Sequence, residues 1–315
     1  MRTPLVSVLI PCYNAEKYIG ETLESVFRQT WQNIEVVIVD DGSEDNSVRE
    51  VERFRAENLT LIRQPNAGAA AARNLAYRKA TGDYLQFLDA DDIISPEKIA
   101  SQIARLTSHA RCVATGKWGR FYTSITETQF EKEAVQADLD SVEWLVHSNQ
   151  NGLGMLFPAL WLIPRAVAEA AGPWDETLSL DDDGEYFTRV VLAADRVLFC
   201  PEAKCHYRSG VMDSLSGRKS PAAWASQVRV LELCEGYVRA REDSERVRRG
   251  FALSWQHLAH TCYPYDRRTA EYALKRAKAL HSVTIKPDGG PVFHVVSRLA
   301  GWRLARLLQV VSGRP

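Results

Sequence analysis

The sequence predicts an α/β chain: a doubly wound, mostly parallel sheet flanked by helices, followed by a helical, basic C-terminal region. Three observations carry this reading. Over the first hundred residues, short apolar runs alternate with segments of helical period. The run at 35–39 (EVVIV) is nearly continuous in apolar residues, as a strand covered on both faces requires. After Pro221 the strand-like runs stop and the pattern is helical to the end.

The elements follow in order. Residues 6–10 (VSVLI) are rich in β-branched side chains and stop at Pro11. Residues 15–29 have helical period, with Ile19, Leu23, Val26 and Phe27 on one face. The strand at 35–39 ends in Asp40-Asp41-Gly42-Ser43, and 45–57 reads as a charged surface helix. A third strand covers 59–62, an alanine-rich helix 67–80, and a fourth strand 84–88, which ends in Asp89-Ala90-Asp91-Asp92. Pro96 sits where the first turn of another helix begins. Strand-like pieces at 112–115 and 120–124, a helix near 140–148 and a loop at 152–158 follow. Residues 172–208 hold an acidic cluster, a helix and a strand. The C-terminal helices break near Pro264 and at 287–291.

Composition narrows the class. The chain has 315 residues, 45% hydrophobic and 25% charged, which excludes a disordered or fibrous protein. Charge is unevenly spread: residues 1–220 carry 23 basic and 32 acidic side chains, residues 221–315 carry 16 and 8. An acidic front suits a divalent cation and a basic rear suits an anionic surface. Only residues 144–164 run to about twenty without Asp, Glu, Lys or Arg, and that stretch is broken by His147, Asn149, Gln150, Asn151 and Pro158, so no membrane-spanning helix is expected. The N-terminus lacks the features of a signal peptide, so the expected location is cytoplasmic. The six cysteines form no CxxC pair; Cys200, Cys205 and His206 cluster without a fourth ligand, and free buried thiols are expected.

In a parallel sheet, ligands bind beyond the carboxyl ends of the strands. Three such ends are polar: Pro11-Cys12-Tyr13-Asn14, Asp40-Asp41, and Asp89 to Asp92. Carboxylates at Asp89 and Asp91 suit Mg²⁺ or Mn²⁺ if the chain turns there; the alternative is a solvated, helix-capping turn. Asp40 or Asp41 can accept from a base N–H or a ribose hydroxyl, or simply close an Asx-turn. Tyr13 offers a ring for a base. Residues 66–74 (NAGAAAARN) form a turn into a helix, on which Arg73 faces either a phosphate or solvent. Asp181-Asp182-Asp183 repel one another unless a cation or a function offsets the cost, and a carboxylate there can act as a general base.

Taken together, VSVLIPCYN (6–14), Gln29-Thr30, VDDGS (39–43), NAGAAAARN (66–74), Gly82-Asp83-Tyr84, FLDADD (87–92) and Gly172 to Arg189 resemble the family 2 glycosyltransferases over roughly residues 5–210. The resemblance implies a GT-A fold, with a Rossmann-like nucleotide-binding half at about 1–110 and an acceptor half at about 111–220. Residues 221–315 are then a helical appendage. It implies a hexosyltransferase-like enzyme. The reaction is inverting transfer from a nucleotide-diphosphate sugar, UDP-sugar favoured, to a glycan or lipid-linked acceptor in surface polysaccharide or glycolipid assembly. Carried over by position, Pro11, Tyr13 and Asp41 line the nucleobase and ribose, and Arg73 lies near the nucleotide. Asp91 is the direct ligand of Mg²⁺ or Mn²⁺, with Asp89 nearer ribose and metal. Asp183 aligns with the catalytic base; Asp182 stands where a glutamate is common. His206 and Arg208 fall where some relatives contact metal or diphosphate. No nucleic-acid partner is implied.

Two other readings meet obstacles in the residues. A sugar-phosphate nucleotidyltransferase needs a glycine-rich basic loop after the first strand, where this chain has Pro11-Cys12-Tyr13-Asn14. A sugar-nucleotide-binding protein without transfer activity is disfavoured by the intact Asp89, Asp91 and Asp183. Residues 292–311 read as one helix with Val292, Val296, Leu299, Ala300, Leu304, Leu307 and Val311 on a broad apolar face, spoiled by Arg303. It either lies on an anionic membrane or packs against protein, with packing preferred.

Overall fold

The structure, a computed structural model, describes residues 3–149, 155–210, 220–285 and 289–312. Residues 152–154 of the expected loop and 287–288 of the expected break lie outside these. The chain forms two compact units, 1–145 with 156–214, and 146–155 with 215–315.

In chain order the strands and helices up to residue 208 are β1 (Val6–Cys12), α1 (Ile19–Phe27), β2 (Ile34–Asp40), α2 (Ser47–Glu52), β3 (Leu59–Arg63), α3 (Ala69–Lys79), β4 (Tyr84–Phe87), β5 (Ile93–Ile94), α4 (Lys98–Leu106), β6 (Cys112–Phe121), β7 (Leu139–Asp140), α5 (Ser141–Ser148), β8 (Ile163–Pro164), α6 (Arg165–Ala171), α7 (Asp182–Ala193) and β9 (Arg196–Arg208). The main sheet has the order β3-β2-β1-β4-β8, parallel except for β8. The direction of winding reverses between β1 and β4, so a crevice opens at their carboxyl ends. Register brings those ends together: Cys12 lies beside Asp40, and Leu9 beside Phe87, two residues before Asp89. Small buried side chains on α3 (Ala70, Ala71, Ala72, Ala76) let that helix settle closely on the sheet.

Two expected helices are shorter than predicted. Ala15 N–H donates to Ser47 Oγ (2.7 Å) and Glu16 N–H to Asp45 Oδ2 (3.0 Å). These cross-braces hold residues 15–16 and 45–46 outside the helices, so α1 starts at Ile19 and α2 at Ser47. The two strand pieces expected at 112–115 and 120–124 are one strand, β6, irregular between Thr115 and Lys117. Its partner β9 is long enough to pair with both halves, which joins them. Beneath β4, Lys98 is fully buried and donates to Gln86 Oε1 and to Gln102 Oε1 (2.7 Å). Burial lowers its pKa to about 8.

The second unit contains α8 (Pro221–Arg241), α9 (Glu245–Cys262), α10 (Arg267–Leu280), α11 (Pro291–Ala300) and α12 (Trp302–Val311). The single helix expected over 292–311 is in fact two. Gly301 adopts φ +82°, a conformation glycine reaches without strain, and it ends one helix and begins the next. The expected continuous apolar face is therefore split. Phe293 and Ala305 point inward, and Trp302 meets His260 (4.5 Å) and Tyr263 (5.3 Å). All six cysteines are buried and free, as expected. Among the described residues no helix is long and apolar enough to cross a membrane.

Candidate active site

The site is built from the carboxyl ends of β1, β2 and β4, the start of α3 and the start of α7. Arg73, on the first turns of α3, is its hinge. The guanidinium is nearly fully buried; Nη2 donates to Asp89 Oδ1 (2.7 Å) and Nη1 to Asp182 Oδ2 (2.8 Å). Its plane lies 4.5 Å over the Trp174 ring. Burial disfavours the charge, but Asp89 and Asp182 override it and raise the pKa. Carboxylates from two motifs far apart in sequence thus meet on one cation.

Asn74, the next residue, fixes the second motif. Its Nδ2 donates to Trp174 O (3.0 Å) and Glu176 Oε1 (2.8 Å), and its Oδ1 accepts from Trp174 N–H (2.9 Å). Trp174 stacks on Tyr186 of α7 at 4.0 Å. Arg189 donates to Glu185 twice at 2.7 Å and to the carbonyls of Ala171 and Pro173, tying the 171–173 turn to α7. A Cβ at Gly184 would lie 2.7 Å from Asp181 Oδ1, so a larger residue there would displace that carboxylate.

Asp183 is half-buried at the start of α7, and its Oδ1 accepts from Gly184 N–H (2.8 Å). Burial and the Asp182 charge raise its pKa to about 7, against the pull of Arg73. Asp91 is raised to about 6 by burial and by Asp89. Asp92 is buried and raised further for the same reasons; its Oδ1 accepts from Arg208 N–H (3.0 Å), while its Oδ2 has no hydrogen-bond partner. Arg208 clamps this turn, donating to Asp91 O (2.9 Å) and Glu21 Oε2 (2.5 Å). Among the described residues no three His, Cys, Asp or Glu side chains form a ready-made metal cage.

At the other side of the crevice, Tyr13 is half exposed just beyond β1. Pro11 is partly buried within β1. Both oxygens of Asp41 are occupied: Oδ1 accepts from Gln64 Nε2 (2.6 Å) and Ala67 N–H (2.9 Å), Oδ2 from Gly68 N–H (2.9 Å). Asp41 therefore holds the 64–68 loop at the mouth of α3. Its neighbour Asp40 is buried with neither oxygen hydrogen-bonded; Arg63 approaches to 3.7 Å. His206 lies opposite Ile93 in the β5–β9 pair, paired with Thr128 Oγ1 (2.8 Å) and packed on Phe130. Sequence reasoning missed Asn74, Trp174 and Glu21. The adjacency of Asn74 to Arg73 and of Trp174 to Asp175 was the available signal.

A parallel nucleotide-binding sheet and a second, mixed sheet of order β5-β9-β6, with acids gathered at the switch point, define a GT-A protein. Residues 7–169 match the family described as Glycosyl transferase family 2, and the chain belongs to that family. An uncharacterized glycosyltransferase of Haemophilus influenzae is 42% identical over 33% of this chain and 42% of its own length. Glycosyltransferase GlyG of Streptococcus pneumoniae is 29% identical over 65% of this chain and 70% of its own. The uncharacterized glycosyltransferase EpsJ of Bacillus subtilis is 30% identical over 65% and 61%. The chain thus spans less than two thirds of two of these relatives. Among solved structures, S. aureus TarS 1-349 in complex with UDP-GlcNAc has a TM-score of 0.71 at 19% identity, covering 98% of this chain and 92% of that one. The mannosyltransferase PcManGT from Pyrobaculum calidifontis, in complex with GDP-Man and Mn²⁺, has a TM-score of 0.57 at 18% identity, covering 100% and 89%.

Proposed function

We propose that this glycosyltransferase moves a sugar from a nucleoside-diphosphate sugar, most naturally a UDP-sugar, to an acceptor hydroxyl by one in-line displacement with inversion. The observation that carries the reading is the meeting of Asp89 and Asp182 on Arg73, which sets Asp183 beside the acidic end of β4. UDP-GlcNAc in TarS and GDP-Man in PcManGT support a nucleotide-sugar donor on this fold. The acceptor class that suits the family is a surface polysaccharide or a glycolipid.

Asp183 accepts the acceptor's hydroxyl proton as that oxygen bonds to the anomeric carbon and the bond to the diphosphate breaks. A pKa near 7 suits a general base, because the group is ionised often enough to act and basic enough to take the proton. Arg73 holds Asp89 and Asp182 in place. Tyr13, Pro11 and the Asp40–Asp41 end of β2 receive the base and ribose. Asp91 and Asp89 fit Mg²⁺ or Mn²⁺: they offer hard oxygens, Asp91 is poised to lose its proton, and donor phosphates and water complete such a shell. When bound, the ion supplies positive charge against the departing diphosphate.

Calorimetry of UDP and GDP binding with and without Mn²⁺ tests the reading. Wild type should bind one nucleotide more tightly with the ion, and Asp91→Ala should lose that gain. An Asp91→Ala protein that responds to Mn²⁺ like wild type would remove the metal assignment. A thermal-shift screen of sugar nucleotides then identifies the donor, because a ligand of the folded state raises apparent stability by mass action.

A further inference from the structure

The helix pair α11–α12 presents its aliphatic side chains to solvent. On α11, Val292 is 74% exposed, Val295 56% and Leu299 84%. These residues fall on one stripe of the helix, and the opposite stripe carries buried Phe293. On α12, Leu304, Leu308 and Val311 form a second exposed stripe, while Ala305 is buried. A surface helix normally turns its apolar stripe toward the core. Here both do the reverse, and single exposed aliphatics would need no comment, but six on one hairpin do.

Charge says what covers them. Residues 291–312 contain no Asp or Glu, whereas Arg298 and Arg303 are exposed beside the two stripes. The Arg303 guanidinium lies near the rings of Trp302 and Tyr263, so basic and aromatic groups border the aliphatic surface. The surrounding sequence, 221–315, has twice as many basic as acidic side chains. Two copies facing each other through this hairpin would set arginine against arginine. A neutral protein groove would leave the arginines unmatched. An anionic bilayer surface answers both features, taking the aliphatic groups among its acyl chains and the guanidiniums among its headgroups.

We propose that the α11–α12 hairpin is a docking surface for anionic lipid bilayers, entered shallowly by Val292, Val295, Leu299, Leu304, Leu308 and Val311. Such docking is independent of the donor chemistry. Co-sedimentation of the full chain with vesicles of phosphatidylcholine alone, or with about 30% phosphatidylglycerol, tests it. The protein should pellet with the anionic vesicles and stay in solution with the neutral ones, and added salt should release it. Leu299→Asp with Leu308→Asp should lower the bound fraction about tenfold or more, since each places a charge where an acyl contact was. Arg298→Gln with Arg303→Gln should lower it by about 25-fold, at roughly a factor of five for each arginine. All these positions are exposed, so the melting temperature should stay at the wild-type value. Equal binding to both vesicle types, or anionic binding that the substitutions leave intact, would overturn the proposal. So would self-association by light scattering that the Leu299→Asp, Leu308→Asp pair abolishes, in a protein that ignores vesicles.

Discussion

Two buried acidic sites, one in each unit, make an instructive pair. In the helical unit, Glu235 is buried and fully answered: Oε1 accepts from Arg239 Nη1 (2.9 Å), and Oε2 from Trp255 Nε1 (2.9 Å) and Arg276 Nη2 (2.8 Å). In the sheet unit, Asp183, Asp91 and Asp92 are crowded by other acids. Burial and neighbouring acids raise all three, and Asp92 Oδ2 has no partner. A carboxylate with its hydrogen bonds complete holds a fold together; one left short is ready to take a proton or a cation. A buried carboxylate thus serves as mortar in one unit, and in the other is proposed to serve as a reagent.

That contrast makes graded predictions. Asp183→Asn should cut turnover by about 10²- to 10⁴-fold while nucleotide affinity by calorimetry stays near wild type. In the wild type, kcat/KM should rise with pH up to about 7 and then level, because the ionised form is the active one. A flat profile, or near-normal turnover in the variant, would make Asp183 another structural acid. Arg73→Ala should cost on the order of 3 kcal/mol in urea denaturation, because it strands Asp89 and Asp182 together. It should also reduce turnover per folded molecule.

Lys98 gives a pH-dependent stability term of known sign. Its folded-state pKa is about 8, below the ordinary 10.5, so the desolvation cost is full below pH 8 and is relieved as pH rises toward 10.5. Wild type should therefore gain up to about 3 kcal/mol over Lys98→Met between those limits, read as the difference of two melting curves. Glu235→Gln is the mildest case. It should lose about 1–3 kcal/mol of stability from weakened charged hydrogen bonds, with turnover per folded molecule unchanged. A large loss of turnover there would erase the distinction between the two acids.

The strands of the main sheet were legible because buried parallel strands need apolar side chains on both faces, and 6–10 and 35–39 show this directly. Asp89, Asp91 and Asp183 were legible because they interrupt or follow such runs. The clasp between α3 and α7 was not. Arg73 and Asp182 are separated by 109 positions, and Asn74 and Trp174 by 100, and no periodicity spans such gaps. Asp41 was read as a base contact from its position. The hydrogen bonds it makes to the backbone at 67–68 depend on a loop path that residue types do not specify. The division of the last helix was marked by Gly301, but the apolar period runs across that glycine unbroken and hid it.

Arg73 and Asn74 are neighbours on one helix, and each grips a different part of the distant acidic segment. Their joint aim depends on rotational phase. Adding one residue ahead of them within α3 would swing both by about 100° and release both grips at once. The alanine-rich helix thus works as a key cut to a single orientation, and its length upstream of Arg73 is as much a part of the enzyme as the acids it turns.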